Sequence, residues 1–167
     1  MKTELAYRKA DLSDFDNLKS LGKESYSEFS KVLTKENWSK MNAALQSDKG
    51  LIHLIQQSTV YVCEMKSDLV GMIYLVPSGN PTELFQENWS YIRFLGVQKK
   101  FRGNGIGKKL TELCIEHAKE NNETYVALHT SEFMNAARAI YEKRGFKKTK
   151  EIQYLGKRYW IYLLDLN

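Results

Sequence analysis

Val97-Gln98-Lys99-Lys100-Phe101-Arg102-Gly103-Asn104-Gly105-Ile106-Gly107-Lys108 is the stretch that decides the fold. Before it, Tyr91 to Val97 is rich in aromatic and apolar residues and reads as a strand. After it, Ile106, Leu110, Leu113 and His117 recur at helical spacing for about four turns, until Asn121-Asn122 ends the helix. A strand that runs through closely spaced glycines into a helix leaves backbone N–H groups free at the helix start, with a partial positive charge of roughly half a unit. Glycine lets a diphosphate approach that backbone closely. Lys99, Lys100, Arg102, Lys108 and Lys109 add long-range attraction for an anion. The segment reads as a diphosphate-binding loop.

Two common phosphate loops are excluded by the residues present. A Walker A loop requires glycine where Arg102 stands and serine or threonine where Lys109 stands. The Rossmann dinucleotide pattern requires glycine at Lys108.

Outward from the loop, Tyr125 to Thr130 is a buried strand, and Phe133 to Lys143 is a helix stopped by Gly145. Phe146 to Tyr154 and Arg158 to Leu164 close the chain as two strands. Toward the N-terminus, Thr59 to Met65 and Leu69 to Val76 form a hairpin around Lys66-Ser67-Asp68, and Pro77 to Asn88 is a loop. Leu5 to Arg8 is a short first strand. Ser13 is the expected cap of a helix reaching about Gly22. Thr34, with Asn37 three residues on, starts a second helix that Lys49-Gly50 either ends or interrupts.

The order is β-α-α-β-β-β-α-β-α-β-β, an α/β chain with a mixed sheet of about seven strands and about four flanking helices. The strand–helix–strand crossover over residues 91–130 makes its two strands a parallel central pair, and a ligand crevice is expected at their carboxyl ends. The Gly-rich loop, the end of strand 125–130, the first interhelix loop and the last hairpin turn should meet there, with loop 77–88 at the opposite end.

The 167 residues suit a single domain over 1–167, with 43% hydrophobic and 27% charged residues. No run is apolar enough to span a membrane, and Met1-Lys2-Thr3-Glu4 lacks the apolar core of a signal peptide. Cys63 and Cys114 have no metal-ligand spacing and read as reduced core residues of a cytoplasmic protein; no metal site is expected. The net charge is +5, with a second basic run at Lys143, Arg144, Lys147, Lys148 and Lys150. No zinc-finger, RNP or recognition-helix signal accompanies it, so nucleic acid is not an expected partner.

Arg102-x-x-Gly105-x-Gly107 after a strand ending in Val97 resembles motif A of the general-control-related N-acetyltransferase (GNAT) superfamily. Ala137-Arg-Ala-Ile-Tyr141-Glu-Lys-Arg-Gly145-Phe146 is similar to that family's motif B, and the element order matches along nearly the whole chain. The resemblance implies acetyl-coenzyme A as co-substrate and direct transfer of acetyl to a primary amine through a tetrahedral intermediate. It implies that the backbone amides of Arg102, Gly103, Asn104, Gly105, Ile106, Gly107 and Lys108 hold the pyrophosphate. It also implies a bulged strand that splays from its parallel neighbour, with Leu95 and Val97 offering backbone groups to the acetyl carbonyl and pantetheine. Tyr141 matches the position of a general acid that protonates the departing thiolate.

The chain departs from the family at Met134, where many members carry asparagine, and at Ser90 to Arg93, where many carry a glutamate. His129 could accept a proton beside the crevice, although a packed, structural histidine is the favoured reading; Glu132 is a weaker candidate. His117 reads as structural, and Glu83 and Glu87 as inert. Glu24 and Glu28, with Tyr26 and Phe29, either bind a cationic amine or form a solvated face. A small-molecule amine is the expected acceptor. A protein N-terminus or lysine is the alternative, as is a non-catalytic coenzyme A sensor. A homodimer is compatible with the sequence.

Overall fold

The computed structural model describes residues 4–167. Met1 to Thr3, on which the reading of no signal peptide partly rests, lie outside the described residues.

The strands are β1 (Ala6–Ala10), β2 (Thr59–Met65), β3 (Asp68–Val76), β4 (Trp89–Val97), β5 (Tyr125–Ser131), β6 (Lys147–Tyr154) and β7 (Lys157–Asp165). They form one sheet in the order β1-β2-β3-β4-β5-β7-β6. Among the described residues, only β4 and β5, joined by a helical crossover, run parallel, as expected of such a connection. The helices are α1 (Phe15–Tyr26), α2 (Lys35–Gln46), α3 (Asp48–Gln57), α4 (Ile106–Glu120) and α5 (Asn135–Lys143). Among the described residues, no helix is long and apolar enough to cross a membrane.

The helices divide between the sheet's faces. On one face α4 buries Ile106, Leu110, Cys114 and Ala118 against Val70, Ile73 and Ile92. On the other, Leu18 and Leu21 of α1 and Leu54 and Ile55 of α3 pack on Val60, Met72 and Tyr74. The stripe on α4 turns inward through Cys114 and Ala118, so Leu113 and His117 sit at its margin. His117 is structural, as expected, and is held by Thr59 at 3.1 Å and Tyr61 at 3.3 Å.

The third helix was not separable from the second by sequence. Ser47 takes an extended conformation and its side chain accepts from the Gly50 N–H, so it ends α2 and caps α3. Gly50 therefore sits inside the first turn of α3 rather than after a helix. At the other boundary, the cap is Asp11, not Ser13. Its carboxylate accepts from the Ser13 N–H and hydroxyl, and a 3₁₀ turn at Leu12–Asp14 leads into α1. Thr34 does cap α2, accepting from the Asn37 N–H at 3.2 Å.

Gly71 marks a close approach of α4 to the sheet. A Cβ there would lie 2.6 Å from Ile106 Cγ2 and 3.1 Å from Leu110 Cδ1. Overpacking of this kind costs about 1–3 kcal/mol. Gly71→Ala is therefore expected to lower the unfolding free energy by that amount, read as a lower urea midpoint with an unchanged m-value. An unchanged midpoint would show that α4 rests on the sheet less rigidly than this spacing requires.

Candidate active site

The parallel pairing of β4 and β5 is short. Trp89, Ser90 and Tyr91 pair with Tyr125, Val126 and Ala127, and the strands then diverge. On its other edge β4 bulges. Gly96 pairs with Met72 and Arg93 with Tyr74, so Phe94 and Leu95 stand together opposite Ile73, and Phe94 adopts φ 49°. The bulge turns β4 away from β5 and opens a cleft of about 1090 Å³. The expected splay and bulge are both present. So is the expected meeting of elements: Phe29 of the first interhelix segment, Gly105 of the Gly-rich loop, Thr130 at the end of β5 and Leu155 of the last hairpin turn all line the cleft.

One wall is the Gly-rich loop. Gly103 and Gly105 have φ of 82° and 78°, and a Cβ on either would meet nothing within 4 Å. The backbone is thus left-handed and uncovered, which suits a diphosphate lying on it. The Asn104 amide fixes the turn by donating to the Phe101 carbonyl at 2.8 Å. Lys109 N–H makes the first helical bond, to Gly105 O at 3.0 Å. Among the described residues, the amides from Gly103 to Lys108 have no acceptor within the chain. Arg102 differs from the expectation, because its N–H already donates to Lys99 O at 3.2 Å. Its side chain anchors the loop instead. It donates to Glu28 at 2.8 Å, Ser25 O at 3.1 Å and Val97 O at 3.2 Å.

Leu95 and Val97 both line the cleft. Their carbonyls are engaged, Leu95 O by the Tyr26 hydroxyl at 3.1 Å and Val97 O by Arg102. Leu95, outside the β3 register, therefore has its N–H as the backbone group to offer a carbonyl oxygen. Tyr141 lies on α5, 5% exposed, and also lines the cleft. Among the described residues nothing hydrogen-bonds its hydroxyl, and burial pushes its pKa above the usual range. The phenol stays protonated at neutral pH and able to donate. Met134 lines the cleft too, its sulfur accepting from the Thr130 hydroxyl at 3.3 Å.

The other wall, on the α1 face of the sheet, is aromatic. Edge-to-face contacts link Phe94 to Tyr26, Tyr26 to Phe29, Phe29 to Phe133 and Phe133 to Tyr159, with centroids 5.0–6.3 Å apart. Sequence reading found Tyr26 and Phe29 but missed Phe133, Tyr154 and Tyr159, which come from distant segments. Glu28 is not free to bind an amine because it is paired with Arg102, and Glu24 is exposed outside the lining. Loop 77–88 is not simply remote: its Phe85 is buried, stacks on Tyr91 and reaches 6.0 Å from the His129 ring. Lys157-Arg158 lie outside the lining, and Arg158 bridges Glu132 and Glu151.

His129 lines the cleft, and burial, then the Arg93 charge, lower its pKa to about 4. A base that weak does not take a proton from an ammonium, so the structural reading of His129 stands. The shift also has a consequence for stability. The unfolded chain protonates its histidines below about pH 6.5, whereas the folded protein keeps this ring neutral until about pH 4. Stability is therefore lost as pH falls through that window. His129→Gln is expected to reduce the drop in Tm between about pH 7 and pH 5. An identical drop in both proteins would place the acid sensitivity elsewhere.

Comparison with known proteins agrees with this architecture. The model of the acetyltransferase (GNAT) family matches residues 19–146. N-acetyltransferase family 8 member 3 of Rattus norvegicus is 33% identical over 128 residues, covering 74% of this chain and 55% of that protein. N-acetylaspartate synthetase of Danio rerio is 30% identical over 115 residues, covering 69% of this chain and 40% of that protein. The chain thus spans about half the length of the curated relatives it matches. Among solved structures, the PaiA N-acetyltransferase of Thermoplasma acidophilum, in complex with coenzyme A, superposes with a TM-score of 0.79 at 18% identity, covering 97% of this chain and 99% of that one. With motif A on the β4–α4 turn, motif B on α5 and the family's fold around both, the chain belongs to the acetyltransferase (GNAT) family, whose members take their acyl group from acetyl-coenzyme A.

Proposed function

We propose that residues 1–167 act as one acetyl-coenzyme A-dependent N-acetyltransferase domain whose acceptor is the primary amine of a small molecule. The carrying observation is the cleft between β4 and β5, with the uncovered amides of Gly103 to Lys108 on one side and a walled aromatic chamber on the other. A peptide acceptor needs an open groove. Here Met41 and Ala44 of α2 and Tyr154 and Leu155 of the β6–β7 hairpin flank the chamber, and a Cβ on Gly156 in the hairpin turn would lie 2.7 Å from Asn37 Nδ2 of α2, which supports a bounded site rather than a long groove. The name of the Danio rerio relative, a synthetase of N-acetylaspartate, also supports a small amine. Cys63 and Cys114, buried free thiols, support a reducing, cytoplasmic setting.

In this reading the protein's groups divide the work. The loop amides bind the pyrophosphate. The Leu95 N–H faces the acyl oxygen and stabilises the negative charge it gains as the neutral amine attacks. The new C–N bond forms and the C–S bond breaks, with the electron pair leaving on sulfur. Tyr141 gives its proton to that thiolate, and the acceptor nitrogen loses one to solvent. Holding both reactants in one cleft supplies much of the rate, up to about 7–11 kcal/mol.

A broad amine panel with thiol release as the readout tests the proposal. Turnover with one or more small amines, and none with peptide N-termini or lysine peptides, is the expected result. Turnover confined to peptides would transfer the function to protein acetylation. Coenzyme A binding without any turnover would make the chain a sensor.

A further inference from the structure

The aromatic chamber holds one charged group that the proposed transfer does not use. Arg93 lies on β4 immediately before the bulge, in register with Tyr74, and so shares the α1 face of the sheet. It is half-buried and lines the cleft. The other arginines among the described residues are engaged. Arg8, Arg102, Arg144 and Arg158 pair with carboxylates, and Arg138 donates to the Glu132 carbonyl and to Asn135. Arg93 has no carboxylate or hydrogen-bond acceptor among the described residues. It has only the Phe94 ring, 4.9 Å from its guanidinium carbon.

A guanidinium resting on an aromatic face keeps its edge donors available. Arg93 is half-buried and its donors open to the cleft with no protein partner among the described residues, so an anion bound there would pair with them in partly desolvated surroundings, where a charge-assisted bond is stronger than in water. The neighbouring groups leave that role to a ligand. Glu28 is tied to Arg102, the Tyr26 hydroxyl donates to Leu95 O, and His129 is neutral at physiological pH. The rim adds exposed Lys31 and Lys40.

Resting on the transferase reading above, we infer that Arg93 is the carboxylate receptor of the acceptor site, so that the acceptor is an amino acid or a close derivative with a free carboxylate. The planar fork matches a carboxylate in two parallel hydrogen bonds. A carboxylate held there, two residues before Leu95, brings its attached amine toward the bulge where the acyl group is expected. The apolar remainder of the acceptor meets the Phe29 and Phe133 side of the chamber. A peptide N-terminus or a lysine in a protein has no such carboxylate beside its amine. Arg93 thus also separates small-molecule from protein acceptors.

Product binding tests this without relying on turnover. The protein saturated with coenzyme A is titrated calorimetrically with N-acetyl-L-phenylalanine, N-acetyl-L-leucine and N-acetyl-L-aspartate, each paired with its α-carboxamide. At least one acid should bind about 10- to 100-fold more tightly than its amide, as expected for a charge-assisted pair. Arg93→Gln should erase the preference, and Arg93→Lys should keep part of it. Equal binding of acid and amide in all three pairs, or a preference that survives in Arg93→Gln, would overturn the inference. Coenzyme A affinity measured on the same wild-type sample separates the two readings. Tight coenzyme A with indifference to the carboxylate removes this inference alone. Failure to bind coenzyme A removes the transferase reading and this inference with it.

Discussion

Tyr141→Phe is expected to lower kcat by about 10²–10⁴-fold while the KM for acetyl-coenzyme A stays nearly constant. The substitution removes one oxygen and keeps the ring. Tyr141 is 5% exposed and packs against Phe146 with centroids 5.6 Å apart, so the fold should survive. Its position follows from local structure. The helix α5 ends in a turn where both Arg144 and Phe146 N–H donate to Tyr141 O, and Gly145 adopts φ 95° to permit this. That closure fixes the last turn of α5 and with it the ring that lines the cleft. Burial keeps the phenol protonated, so over the neutral range the Tyr141 step should show no loss of rate from ionisation. A loss below about threefold would mean that solvent delivers the proton. A large rise in KM at constant kcat would make Tyr141 a binding residue.

Gly105→Glu is expected to weaken coenzyme A binding by about 100-fold or more, because several charge-assisted hydrogen bonds depend on access to this backbone. The carboxylate would stand over the amides from Gly103 to Lys108 and repel the diphosphate. No protein atom lies within 4 Å of the added Cβ, so the damage is confined to ligand space and to the backbone at φ 78°. A non-glycine residue in that left-handed region costs about 1–2 kcal/mol, which a Tm measurement would register as a modest shift. A folded variant with unchanged affinity would remove the loop from the binding site.

The two motifs make the fold and the diphosphate-loop side of the candidate site legible in the sequence. A strand, closely spaced glycines and an amphipathic helix can meet in few ways, and the crossover rule makes the flanking strands parallel. What stayed hidden depends on three-dimensional company. Ser47 ends one helix and starts another within a single residue, and nothing local distinguishes that from a helix interrupted at Gly50. Glu28 looked available until Arg102, 74 residues away in sequence, took it. The Arg102 amide looked available until the turn back to Lys99 used it. Phe133, Tyr154 and Tyr159 share a cleft with Tyr26 only because the segment after β5 and the β6–β7 hairpin come together at its rim, with Phe29 bridging Tyr26 to Phe133. Arg93 did leave a trace, a lone cation in the otherwise apolar run Tyr91-Ile92-Arg93-Phe94-Leu95. A charge inside a central strand is a reason to look for a ligand.

The most direct test of the central claim is a crystal structure of the protein with coenzyme A. The account predicts the pyrophosphate within hydrogen-bonding distance of the amides from Gly103 to Lys108. It predicts the pantetheine arm between the diverging ends of β4 and β5, with the thiol beside Leu95 and Tyr141. Coenzyme A bound elsewhere, or bound with its thiol directed away from the aromatic chamber, would contradict it.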